Sequence, residues 1–538
     1  MKPARSTAIA RRKDGGFIAI LLLVTIALMT VAAFTNSMWG GDANAYQQQV
    51  NREALRQAKI ALLEYVETGD ASDLTAATVL TAVNGRLPCP NQDGSGVSTT
   101  PCGTNVSTGL GLNAGIHSFG LLPWATLNIP TLRDAAHQCL WYAVDGLFKM
   151  SPLTDATTAA KMPVNADSFG SFSVVQPLKN ISSAGVTSWT ETLLAGNYTA
   201  NNNSADRVVA VIIASGPAGG LQNQTAVGGG AYPCTLTNLA GGVPNAEASA
   251  PNFLKYYQSA DPLLNVINNQ TVGNLSPNSV NPTPLGALKT FVTADVNQEQ
   301  LNDQFAWITA EEFAKAATRR TARLYASAIN KYVSYNGFYP WAASTPGGAC
   351  TPGQLQGFVP YSCPGALAAD DLDLAVNANR LTGDPDWWAG HGHYAVSKDC
   401  ISKTAAAKPL AGSGGTPAKQ DSLLTLNVTP AHPCTGTDRI DLGKGTLGPP
   451  AIILMRGRAL NWQTTTATPC VPYNGTNAAT ILATSNISPC LEDPLNKSTV
   501  NTAFASPKLS PALLYGTAPY RVPQPASSND YMVQFTLQ

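Results

Sequence analysis

The chain states one pattern twice. Asn84-Gly85-Arg86-Leu87-Pro88-Cys89-Pro90 follows one helix-compatible stretch, and Asn336-Gly337-Phe338-Tyr339-Pro340-Trp341-Ala342 follows another. The strand-like Leu140-Trp141-Tyr142-Ala143-Val144 is echoed by His393-Tyr394-Ala395-Val396, and Arg207–Ile213 by Pro450–Met455. Asn302-Asp303-Gln304-Phe305 returns as Asn529-Asp530-Tyr531-Met532. Cys89, Cys102 and Cys139 are 13 and 37 residues apart, and so are Cys350, Cys363 and Cys400. A pattern repeated in this order restricts the fold to two copies of one unit, each a long helix followed by an irregular antiparallel sheet.

Each copy opens on an amphipathic helix. In the first, Val50, Ala54, Ala58, Ala61, Leu62 and Tyr65 recur at three- and four-residue steps, with Arg52, Glu53, Arg56 and Lys59 on the other face. In the second, Thr309 and Glu312 spell a capping box. Phe313, Ala316, Ala317, Leu324, Ala328, Ile329 and Tyr332 then turn to one face, and Asn336-Gly337 ends the helix. Arg207–Ile213 is continuously apolar, as a central strand buried on both faces would be. Residues 302–309 alternate, as a half-buried strand would.

Lys plus Arg and Asp plus Glu both number 33, so bulk charge gives no attraction for nucleic acid. Only 12% of residues are charged while Gly reaches 46 and Pro 38, the make-up of a loop-rich, β-containing exported protein. The ten cysteines are even in number and contain no C-x-x-C pair, which favours disulfides over zinc. Loop length suggests Cys89–Cys102 and its twin Cys350–Cys363. Cys139–Cys234, Cys400–Cys434 and Cys470–Cys490 would complete the set, although sequence leaves the connectivity open.

Ahead of the first copy, Phe17–Phe34 carries no charge, and the sixteen residues before it hold Lys2, Arg5, Arg11, Arg12 and Lys13 against Asp14. As a helix this run would measure about 27 Å, long enough for a membrane span with a cytoplasmic N-terminus. No clear small-residue cleavage site follows it, which disfavours a cleaved secretory signal and leaves an uncleaved anchor as one alternative. Gly15-Gly16-Phe17 after a basic leader resembles the processing site of type IV prepilins and pseudopilins. The resemblance implies cleavage after Gly16 by a prepilin peptidase, methylation of the new N-terminal Phe17, and a retained apolar assembly helix. That family carries glutamate at the fifth mature position, where this chain has Leu21. A subunit without that carboxylate suits a fibre end better than a repeating shaft.

The residues offer no catalytic set. His117, His137, His391, His393 and His432 include one H-x-H, but no denser metal pattern, no P-loop and no nucleophile elbow. His391 and His393 therefore read as surface or packing residues. Residues 91–96, Asn-Gln-Asp-Gly-Ser-Gly, resemble a calcium loop with too few carboxylates, with a plain turn as the alternative. Asp384-Pro385-Asp386-Trp387-Trp388 reads as tryptophans buried under a loop, or as a contact for carbohydrate or a partner subunit.

The expectation is thus an α+β chain: a leader (1–16), a transmembrane and assembly helix (17–66), and two pilin-like lobes (67–309 and 310–538) with disulfide-tied loops. The resemblance implies a non-enzymatic minor pilin or pseudopilin at the tip of a type IV pilus or type II secretion pseudopilus. It would be anchored in the bacterial inner membrane by a single pass, with a periplasmic C-terminal part. Its partners would be other pilins, the assembly platform, the peptidase and lipid, with no nucleic acid and no required cofactor. The alternative is an adhesin or binding module displayed on the same stalk.

Overall fold

The computed structural model describes residues 45–68, 86–91, 95–98, 118–150, 164–168, 170, 172–181, 187–195, 207–216, 289–292, 303–363, 372–373, 388, 390–397, 400–401, 440, 449–458, 491 and 530–535. These form two helices, α1 (45–68) and α2 (Ala310–Asn336), and thirteen strands. The first sheet holds β1 (Ser118–Leu121), β2 (Trp141–Val144), β3 (Phe172–Ile181), β4 (Thr187–Ala195), β5 (Val208–Ala214), β6 (Lys289–Val292) and β7 (Gln304–Thr309). The second holds β8 (Gln356–Phe358), β11 (Gly392–Val396), β12 (Ala451–Met455) and β13 (Tyr531–Gln534). A small ladder pairs β9 (Ser362–Cys363) with β10 (Leu372–Asp373). Among the described residues all pairings between these strands are antiparallel except that of β3 with β6.

The repetition in the sequence reappears as strand order. In the first sheet β1 pairs β2, β2 pairs β5 and β5 pairs β7; in the second, β8 pairs β11, β11 pairs β12 and β12 pairs β13. Tyr142 faces Gly120 on one side and Ile212 on the other, and Tyr394 faces Gly357 and Ile453 in the same way. Both glycines are needed for backbone approach. A Cβ on Gly120 would meet the Asn91 carbonyl oxygen at 2.6 Å, and one on Gly357 would meet that of Ala343 at 2.3 Å. Leu87 bridges Lys149 in parallel, as Tyr339 bridges Ile401.

This register separates the cysteines from the repeat. Leu87 matches Tyr339, so Cys89 matches Trp341 and not Cys350. Ile401 matches Lys149, so Cys400 matches Phe148 and not Cys139. The equal cysteine spacings do not mark equivalent positions; hydrogen-bonded strand pairs carry the repeat.

α1 buries the stripe its spacing predicts, with Ala54, Ala58, Ala61 and Leu62 inside, joined by Leu55 and Val66, and Val50 and Tyr65 half-buried. α2 starts where β7 stops. The Thr309 hydroxyl accepts from the Glu312 backbone N–H at 3.2 Å, and the Glu312 carboxylate accepts from the Thr309 N–H at 3.0 Å. At the far end Gly337 sits at φ 73° and donates to the Val333 carbonyl at 2.7 Å, a left-handed cap that favours glycine. Thr309→Ala removes one half of the box and is expected to cost about 1 kcal/mol, read as a fall in chemical-denaturation midpoint at unchanged slope.

The expected fold class is corrected. The described residues are mostly antiparallel sheet with two helices, and none of their helices is long and apolar enough to cross a membrane. The long N-terminal membrane-spanning helix and the single-pass inner-membrane placement are corrected with it. The described helix runs from 45 to 68 and turns its apolar side into the protein core, as an amphipathic rather than all-round apolar sequence must. Phe17–Phe34, with Gly16 and Leu21, lies outside the described residues.

The two repeated units pack against one another. One hydrophobic cluster contains Leu62 of α1, Phe148 and Ile212 of the first half, Phe313 and Ile329 of α2, and Tyr394 and Ile453 of the second half. Because α2 follows β7 without a linker, its first turns pack on the first half. The Phe313 ring meets Phe148 edge-on with centroids 4.8 Å apart. Further along, the Tyr325 hydroxyl lies 2.8 Å from that of Tyr361 in the second half. α1 and α2 are also tied by Lys59–Glu312 at 2.6 Å and by Glu67 with both Arg319 and Arg323. A second cluster on the other face of the first sheet gathers Trp141, Phe172, Val174, Val211, Ile213 and Phe305, so β5 is buried on both sides.

Candidate functional site

A chain with few charges that buries several of them in one place has a site to explain. The turn 164–168 of the first half carries Asp167, and the segment after β12 of the second half carries Arg456 and Arg458; all three are buried. Arg456 Nη2 donates to Asp167 Oδ2 at 2.8 Å, and Arg458 Nη1 donates to the Ser168 carbonyl at 2.7 Å. His391, just ahead of β11, places Nε2 3.4 Å from the same Asp167 oxygen. The Trp388 ring stands 5.3 Å from the imidazole, centroid to centroid.

Local backbone geometry sets this arrangement. The Asn165 side chain accepts from Asp167 N–H at 2.9 Å and the Ser168 hydroxyl accepts from Asn165 N–H at 3.0 Å, closing the turn that presents Asp167. The Arg456 N–H donates to the His391 carbonyl at 2.8 Å, extending the β11–β12 ladder so that both residues reach one spot. One residue on, the Gly457 N–H donates to Asp530 at the start of β13 at 3.2 Å.

The equivalent end of the first sheet is built differently. Ser215 stands where Arg456 does, and the next N–H, from Gly216, donates to Asp134 at 2.8 Å. Asp134 also accepts from the N–H groups of Ala136 and Gln138, and burial still lifts its carboxyl above the ordinary range. The Asn51 side chain of α1 accepts from the neighbouring Ala135 N–H at 2.7 Å, so this turn anchors the helix to the sheet.

His391 and His393 are both packing residues. Burial, with the Arg456 guanidinium second, holds His391 down to about 4. Burial alone holds His393 to about 3. Among the described residues no group of three or more His, Cys, Asp or Glu side chains could hold a metal ion. His137 occupies a surface turn at φ 61°. His117 and His432 lie outside the described residues.

In the loop that resembles a calcium site, the Asn91 amide donates to the Val97 carbonyl at 2.8 Å and to the Ser95 hydroxyl at 3.2 Å. The Gly96 carbonyl accepts from Ala125 and Thr126, so the described part of the loop works as a turn packed on Trp124; Asp93 lies outside it. Trp388 is buried, and Asp384–Trp387 lies outside the described residues.

Cys350 and Cys363 are joined, with Cα atoms 5.3 Å apart. Cys89, Cys139 and Cys400 are disulfide-bonded as well; Cys102, Cys234, Cys434, Cys470 and Cys490 lie outside the described residues. The charged cluster at Asp167 escaped sequence reading. Its one visible signal is Arg456, a charge set directly after a wholly apolar strand.

A scan against protein-family models and searches of curated proteins and of solved structures find no match for the chain.

Proposed function

We propose that the chain is a non-enzymatic assembly subunit of the pilin or pseudopilin kind, processed after Gly16, that primes or caps a type IV pilus or a type II secretion pseudopilus. The observation that carries the reading is the basic leader closed by Gly15-Gly16-Phe17 and followed by an uncharged run. Leu21 supports an end position, because a subunit lacking the family's carboxylate has nothing to offer the amine of a neighbour. Bulk supports it too. Two repeated sheets fused through one core are hard to repeat along a close-packed fibre, whereas a fibre end leaves them room.

Deleting the gene is the test. The reading expects fibre initiation or secretion to fall sharply while shaft subunits still accumulate, and a tagged copy to label fibre ends. Intact initiation and secretion, or label spread along the shaft, would contradict it.

A further inference from the structure

The charged cluster joins parts of the chain far apart in sequence, and it sets an imidazole beside a buried guanidinium. Among the described residues, the turn 164–168 supplies Asp167, with Asn165 and Ser168 beside it. The end of β12 supplies Arg456 and Arg458. The start of β13 supplies Asp530 through Gly457, and the segment before β11 supplies His391 beside Trp388, with His393 two residues on. Two carboxylates thus stand with two guanidinium groups, all buried. Of the His391 ring nitrogens, Nε2 lies 3.4 Å from Asp167 Oδ2 and Nδ1 has no hydrogen-bond partner among the described residues. A proton on this ring adds a second cation beside Arg456 at a buried position, where such a charge is costly.

We propose that Asp167, Arg456 and His391 form an acid-labile clasp that holds the turn 164–168 of the first half against the β12–β13 end of the second, and that acidification opens this seam before the sheets themselves melt. At neutral pH the carboxylate accepts from Arg456 and the imidazole packs uncharged against Trp388. Protonation of the ring places two cations around one carboxylate. Separation then lets water reach the charges.

The direction follows from linkage. The unfolded or opened chain takes up a proton on this histidine near its ordinary 6.5, and the closed form refuses it down to about 4. The contribution of the clasp is therefore complete above pH 6.5 and is lost as pH falls through that window.

Hydrogen exchange of the full chain, followed by mass spectrometry from pH 7 to pH 4 and corrected for intrinsic rates, tests the proposal. Peptides covering 164–168 and 456–458 are expected to lose at least tenfold of their protection between pH 6 and 4.5, while 208–214 in β5 stays protected. His391→Gln, which cannot take the proton, is expected to move the opening of the seam down by a pH unit or more, whereas His393→Gln leaves it in place. Should the seam and β5 lose protection at the same pH in the unaltered protein, the clasp is refuted without recourse to a variant. An opening that does not move in a folded His391→Gln protein refutes it equally.

Discussion

Phe313→Ala is expected to destabilise the protein by about 3–5 kcal/mol and to do so for both halves at once. The ring is fully buried one turn into α2, edge-on to Phe148 from the first half and in the same cluster as Tyr394 and Ile453 from the second. Truncation removes a large apolar surface and leaves a cavity where two strand systems and two helices meet, a place poorly able to collapse. In a denaturant titration followed by far- and near-ultraviolet dichroism, the account expects one transition moved to lower denaturant as a whole. Had the halves been independent lobes, the second sheet would keep its own midpoint, and two transitions would separate.

Asp167→Asn should cost a similar amount by another route. The variant keeps the shape of the turn but withdraws the carboxylate from Arg456 and His391. A guanidinium buried without that anion is penalised by about 3–5 kcal/mol. The same step made in Arg456→Met protein should cost much less, since the guanidinium that Asp167 accepts from is then gone, and the difference between the two measures the coupling. Equal costs in both backgrounds would show that Asp167 acts through its turn alone.

Much of the fold was legible because local chemistry and burial agree. Thr309 with Glu312 at one end of α2 and Gly337 at the other are read from residue type, and their geometry follows. The uninterrupted apolar run at β5 announced a strand buried on both faces, and it has one cluster on each. The paired tyrosines Tyr142 and Tyr394, each facing a glycine, show that a repeat visible in short motifs can be a repeat of hydrogen-bond register.

Other features were hidden for physical reasons. Cysteine spacing suggested equivalent positions, but a disulfide constrains distance across a loop and is indifferent to strand register, so chance spacings can coincide. The sharing of one core could not be foreseen from periodicity, which says which face of α2 is apolar but not that two sheets compete for it. Arg456 and Asp167 lie far apart in the chain, and only the third dimension brings them to 2.8 Å. The apolar run before α1 suggested a spanning helix continuous to residue 66; no helix among the described residues is long and apolar enough to span a membrane, and α1 faces its stripe inward.

The assembly reading turns on what happens at Gly16, and intact-mass and peptide mass spectrometry of the protein from its native host test this most directly. The account predicts a mature chain that begins at Phe17 and carries one additional methyl group on its amine. A chain that still begins at Met1, or one cut anywhere other than between Gly16 and Phe17, would contradict it.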